Sequence, residues 1–109
     1  ARAETAIIER ALRPAQAAPH WWRTADNNWN QVCHAGLVLG ALAVAERAPE
    51  LAASIVAEAC AQNPRALAAY APAGVYPEGA GYWIYGTAYQ VMLLEALALV
   101  APADAARLA

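Results

Sequence analysis

Lysine and phenylalanine are missing from these 109 residues, serine occurs once, and charged residues make up only 15% of the chain. All seven cations are Arg, and the formal net charge is −2. Without a basic excess the sequence offers no phosphate-binding surface, and nucleic acid is not expected as a partner. The single serine, Ser54, falls in the middle of a helical stretch and leaves a Ser-based triad without support. Neither a Gly-rich phosphate loop nor a zinc-ligand spacing is present, so no cofactor and no metal is expected. The two cysteines, Cys33 and Cys60, both sit in helical patterns and read as buried free thiols rather than a disulfide.

Long apolar runs are scarce as well. The longest uncharged one, Ala35 to Ala45, falls well short of the roughly 20 residues of a membrane span. The run from Val91 to Val100 is broken by Glu95. No membrane span is expected, and no basic segment leads into an apolar stretch as in a signal peptide. The chain begins with Ala rather than Met and is expected to be a piece of a longer protein.

What is present is apolar and helix-forming. Hydrophobic residues make up 61% of the chain, which excludes a disordered tail, and alanine alone fills nearly a third. Alanine is the best helix former, so an all-α fold is expected. The length suits one helical domain spanning residues 1–109.

Along the chain, residues 1–12 read as an amphipathic helix that Pro14 and Pro19 interrupt. A polar and aromatic loop follows, from Pro19 to Asn30. Helix is expected from about Trp29 to Arg47, with Asp26, Asn27 and Asn28 all offering N-cap chemistry. Cys33, Gly36 and Gly40 form a stripe of small residues, read as the seat of a closely packed backbone. Pro49 and Pro64 suit the first turns of two further helices, 50–61 and 64–71. A second irregular stretch spans 71–83, with three Gly and two Pro in its middle. Helix is expected again from Tyr85 or Gly86 to Val100, and Pro102 ends it.

Five helices joined by short turns, with two long aromatic loops, predict antiparallel helical hairpins. Such hairpins stack into α/α solenoids and toroids in which each unit needs neighbours. The chain is therefore expected to be a segment of an incomplete α/α toroid, completed by the rest of a parent chain or by self-association.

Polar and aromatic residues outside the helical pattern concentrate in two places, Trp21 to His34 and Tyr76 to Tyr89. Antiparallel hairpins can bring the starts of the two long helices to one mouth. Trp21, Trp22, Trp29, Trp83 and the tyrosines offer flat faces with polar tips, as sugar rings require. Asn27, Asn28, Asn30, Gln31 and His34 can donate to hydroxyl or carboxylate oxygens. Asn30 and His34, four apart, share a helix face. The plainer readings are caps for Asn27 and Asn28, a satisfied helix histidine for His34, core residues for Tyr76, Tyr82 and Tyr89, and an exposed turn for Glu78.

The segments N-N-W-N-Q-V-C-H-A-G (Asn27 to Gly36) and Y-P-E-G-A-G-Y-W-I-Y-G-T-A-Y (Tyr76 to Tyr89) resemble the heparinase II/III-like polysaccharide lyases. The resemblance runs from about Trp21 to Val100. It implies part of an N-terminal α/α toroid, without the β-sandwich region that follows it in that family. It implies β-elimination on a uronic-acid-containing polysaccharide, and a periplasmic or secreted location. Asn28 then looks like the amide that neutralises the substrate carboxylate, with Asn27 second. Tyr85 looks like the proton-transferring phenol, with Tyr82 and Tyr89 as rivals. His34 joins them as a catalytic candidate, although the family pattern commonly has Asn there. Trp29, Asn30, Glu78, Tyr82, Trp83 and Tyr89 would line the substrate, an acidic polysaccharide or oligosaccharide. Two other functions fit an array of this kind. One is a helical module that binds a carbohydrate or a protein without chemistry. The other is an α/α-toroid glycoside hydrolase, for which Asp26 and Glu78 would be the carboxyl pair.

Overall fold

The structure, a computed structural model, describes residues 2–108, and every regular element in it is helical. The chain is all-α. Its first helical stretch comprises α1 (Arg2–Ile7), a π-helical turn (Ile8–Leu12) and α2 (Arg13–Ala17). The expected break at Pro14 does not occur. The Arg13 N–H bonds back to the Ile8 carbonyl, five residues earlier, so the backbone is already widened where the proline enters. In a tight α-turn a proline ring clashes with the carbonyl four residues back, and a π turn relieves that crowding.

A 3₁₀ turn at Trp21–Thr24 precedes α3 (Asn28–Ala43). Then come α4 (Pro49–Gln62), α5 (Pro64–Ala68), α6 (Ala80–Val100) and α7 (Pro102–Leu108). Pro49, Pro64 and Pro102 each open a helix, where the missing N–H has no intrahelical partner to lose. α6 begins five residues before Tyr85. Gly79, at φ +91°, makes the left-handed entry, so the aromatic run Tyr82–Tyr85 is helical rather than loop.

α3 and α4 form an antiparallel hairpin, because the end of α4 meets the start of α3: Asn30 Nδ2 donates to the Gln62 carbonyl at 3.2 Å. α6 lies alongside α3 and starts at the same end, since Gly86 rests on Asn28 and Gln31. Leu93, Leu97, Val38, Ala41 and Ile55 meet in the core with Ile8 and Leu12 from the N-terminal stretch. α7 folds back against α6 and α4.

The close approach lies elsewhere than expected. A Cβ on Gly36 would meet nothing within 4 Å, and one on Gly40 only the side chains of Ile7 and Leu12 at 3.5 Å. Gly86 is the tight position: a Cβ there would lie 2.4 Å from Gln31 Oε1 and 3.4 Å from Asn28 Cβ. Gly86→Ala gains up to about 1 kcal/mol of helix propensity. It also drives a buried amide off its partner, a loss of about 1–3 kcal/mol. A net fall in urea midpoint is the expected result, with the Tyr70 ring environment perturbed in near-ultraviolet circular dichroism.

α6 buries one stripe only, Gly86, Gln90, Leu93 and Leu97, and leaves Ile84, Val91, Met92, Leu99 and Val100 exposed. At 21 residues, with a mean hydropathy of 1.3 in its most apolar window, it is long and apolar enough to cross a membrane by length and composition. The helix starts at Ala80 rather than Tyr85 or Gly86 and runs through Glu95, and the added first turns supply the length.

Candidate functional site

The first turn of α3 is built by its own polar residues. Asn27 is the N-cap, extended at φ −132°, and its Oδ1 accepts from the Trp29 N–H at 3.1 Å. Asn28, the next residue, is buried and faces the turn that precedes α6. There the Glu78 carboxylate accepts from the Asn28 backbone N–H at 2.9 Å. It also accepts from Asn28 Nδ2, at 2.9 Å to Oε1 and 2.8 Å to Oε2. The two polar clusters, 50 residues apart in the chain, therefore meet at one end of the helical layer.

Burial works against the Glu78 charge, but the hydrogen bonds from Asn28 outweigh it and hold the carboxyl below its ordinary pKa. The positive end of α3 favours the same anion. Tyr76 contributes from below. Its ring is buried and stacks on Tyr70, with centroids 4.7 Å apart and planes within 23°. Its hydroxyl has no hydrogen bond of full geometry, yet lies close enough to the carboxylate to help lower its pKa. Burial first, then the neighbouring carboxylate, pushes the Tyr76 phenol well above the ordinary tyrosine value.

The exposed side of the mouth is aromatic. Trp29 is 52% exposed and packs at a tilt against Trp21, with centroids 5.4 Å apart. Tyr82, Trp83 and Tyr85 are also exposed at the start of α6. Tyr89 is half-buried and meets Tyr85 edge-on at 5.2 Å. Desolvation raises the Tyr85 pKa, and Tyr89 and Cys33 add to the effect. Trp83 leans the other way: its Nε1 donates to the Gly74 carbonyl at 2.9 Å and pins the 71–79 turn.

Asn30 and His34 share a face, as their spacing requires, but that face is turned inward. Asn30 is fully buried and donates to the carbonyls of Arg23 (3.0 Å) and Gln62 (3.2 Å). His34 is buried against the edge of Trp22, and its Nε2 lies 3.2 Å from the Arg23 carbonyl. A carbonyl only accepts, so Nε2 carries the proton. Burial is the main force that lowers the His34 pKa, and the unfolded chain has the ordinary value near 6.5. The unfolded state therefore takes up the proton first. His34 supports the fold fully above pH 6.5 and withdraws that support as pH falls towards its folded pKa. Thermal stability is expected to drop as the pH falls below about 6.5, with a shallower slope in His34→Gln.

A second polar cluster was not anticipated from the sequence. Asn63, at the α4–α5 junction, and Gln90, in α6, exchange hydrogen bonds at 3.1 Å and 2.7 Å. Asn63 also reaches Asn30 Oδ1 at 3.4 Å. Nearby, Gln31 meets the Tyr70 hydroxyl at 3.2 Å, and that hydroxyl lies 3.2 Å from Thr87 Oγ1. The available signal was polarity on helix positions whose neighbours three and four away are apolar, as at Gln90 between Gly86 and Leu93–Leu94. Arg23 braces the 3₁₀ turn from outside through Glu58 and the Ala15 carbonyl.

Among the described residues no three His, Cys, Asp or Glu side chains are placed to hold one metal ion. Cys33 and Cys60 are free and half-buried rather than fully buried. A groove of about 610 Å³ lies between α4 and α7 and is lined by Ala53, Val56, Cys60, Val100 and Asp104 among others. It is apolar where the mouth is polar and aromatic. No family model matches the chain, and a search of curated proteins finds no match.

Proposed function

We propose that the chain is a segment of an α/α-toroid polysaccharide lyase that acts by β-elimination on a uronic-acid-containing polysaccharide. The observation that carries this reading is the grip of Asn28 on a carboxylate. A backbone N–H and a side-chain amide converge on one anion at a helix start, which is the arrangement needed to neutralise a uronate. The paired motifs add the direction of the chemistry.

In the reaction, the proton on the carbon next to the carboxylate leaves, a carbon–carbon double bond forms, and the glycosidic bond to the neighbouring carbon breaks. Charge collects on the carboxylate oxygens as the proton leaves, and Asn28 stabilises it there. Tyr85, exposed near the start of α6, supplies the phenol in this reading. A pKa raised above the ordinary tyrosine value keeps the phenol protonated, the form that can deliver a proton to the leaving oxygen. Proton removal requires a cation or base from outside this segment, consistent with a piece of a larger enzyme. Trp29, Tyr82 and Tyr85 give the sugar rings their flat faces, which stand exposed around the mouth.

The raised Tyr85 pKa also gives weight to a second reading, a module that holds acidic carbohydrate without chemistry. A glycoside hydrolase is the weaker alternative. Its general acid needs a raised carboxyl pKa, whereas Glu78 is held low and occupied by Asn28.

The isolated segment is expected to be inactive, so the test is ultraviolet absorbance of the unsaturated product when the full-length parent chain is incubated with a panel of uronate polysaccharides, with Tyr85→Phe alongside. A lyase gives a rising signal that Tyr85→Phe reduces on the order of 10²–10⁴-fold. Binding without signal from the folded wild type identifies the module instead.

A further inference from the structure

We propose that Glu78 is a built-in competitor for the carboxylate seat at the start of α3: the free protein holds its own carboxylate on Asn28, and a uronate binds by exchanging with it. The inference rests on the acidic-polysaccharide reading above and adds how that site is kept and opened.

The seat is complete without any ligand. Three hydrogen-bond contacts of 2.8–2.9 Å fix the Glu78 carboxylate on Asn28. Asn28 itself is only 4% exposed, and the side chain laid across it is that of the exposed Glu78. An arriving anion cannot reach the same donors until Glu78 moves.

The seat also has a donor to spare. Tyr76 is 4% exposed, and its hydroxyl lacks a partner of full geometry beside the carboxylate. Glu78 is tied to the backbone between Pro77 and Gly79 and meets this hydroxyl only outside full hydrogen-bond geometry. A ligand carboxylate carries no such tether and can settle where Asn28 and Tyr76 both reach it. A buried hydroxyl held short of a well-formed hydrogen bond is a standing cost that such a ligand reduces.

Glu78 can leave without unfolding the turn. The 71–79 backbone is held by Gly74 N–H to the Tyr70 carbonyl (2.6 Å) and Gly79 N–H to the Tyr76 carbonyl (3.1 Å). Trp83 Nε1 bonds the Gly74 carbonyl as well. None of these uses the Glu78 side chain, so rotation about its own bonds is enough. Two glycines with positive φ, Gly74 at +73° and Gly79 at +91°, set the turn independently of it.

Competition of this kind lowers apparent affinity by the fraction of molecules whose seat is open. Calorimetric titration of the full chain with oligoglucuronate, oligomannuronate and a matched neutral glucan is the experiment. Glu78→Ala is expected to tighten uronate binding roughly tenfold and to leave the neutral glucan unchanged. Glu78→Gln, which keeps one acceptor, falls between. In the wild type, carboxyl ¹³C NMR should show the Glu78 pKa returning to the ordinary carboxylate range when uronate saturates the protein. This readout needs no variant. A folded Glu78→Ala with unchanged or weaker uronate affinity overturns the proposal, as does a Glu78 pKa that ignores the ligand. Uronate binding without either response removes the competitor and leaves the polysaccharide reading standing. Failure of every uronate to bind either protein removes both.

Discussion

Asn63→Ala is expected to destabilise the chain by about 3–5 kcal/mol, because two buried partners lose their hydrogen bonds at once. Asn63 is fully buried, and its side chain is the hinge of the polar layer between α4 and α6. Deletion orphans the Gln90 amide, both as donor and as acceptor, and removes the contact to Asn30 Oδ1. Each buried group left unsatisfied costs about 1–3 kcal/mol, and the vacated volume adds to it. A domain of this size holds only about 5–15 kcal/mol in total, so the variant should unfold at a much lower urea concentration. The double variant Asn63→Leu/Gln90→Leu is the control. Replacing both partners by apolar groups of similar size removes the orphaned Gln90 amide, leaving only Asn30 Oδ1 without Asn63, and at least half of the loss should return. An Asn63→Ala midpoint within about 1 kcal/mol of wild type would mean that water reaches the pair.

This polar layer also shows where the sequence was legible and where it was not. Helix content followed from alanine and from Pro49 and Pro64 at helix starts, because those effects are local to a few residues. The start of α3 was readable for the same reason, since Asn27 caps through its own neighbour Trp29. α6 starts at least five residues before the Tyr85 or Gly86 that the sequence suggests. Tyr82 to Tyr85 have mediocre helix propensity, and only the left-handed entry at Gly79 and packing against α3 make them helical. The stripe at Cys33, Gly36 and Gly40 predicts a close approach that the fold places at Gly86 instead, against the side chains of Gln31 and Asn28. Spacing says which residues share a face but not which face a neighbour takes. Asn30 and His34 follow the same rule: their shared face was readable, and its burial against Arg23 and Gln62 was not. The meeting of Asn28 with Glu78 lay between. Parallel starts of the two long helices put both clusters at one end, but a bond between them depends on the path of the 71–79 turn.

Leu93→Ala is the substitution expected to couple stability to the site most directly. α6 contributes 21 residues to the fold but buries only Gly86, Gln90, Leu93 and Leu97 against the rest. Leu93 is fully buried in the cluster that includes Val38, Ala41 and Leu97. Truncation to Ala loses the transfer energy of the side chain and leaves a cavity, together about 2–5 kcal/mol. The same change loosens the helix that carries Tyr85 and follows the Glu78 turn. The expected result is a lower urea midpoint together with faster hydrogen exchange at the Asn28 amide, whose N–H is held by Glu78 rather than by its own helix. Leu12→Ala is the comparison. Leu12 is equally deep in the core but belongs to the N-terminal stretch. It should cost a similar amount in stability while leaving the native-state exchange of Asn28 near wild type. If both variants accelerate Asn28 exchange equally, α6 does not loosen from α3 as a separate unit.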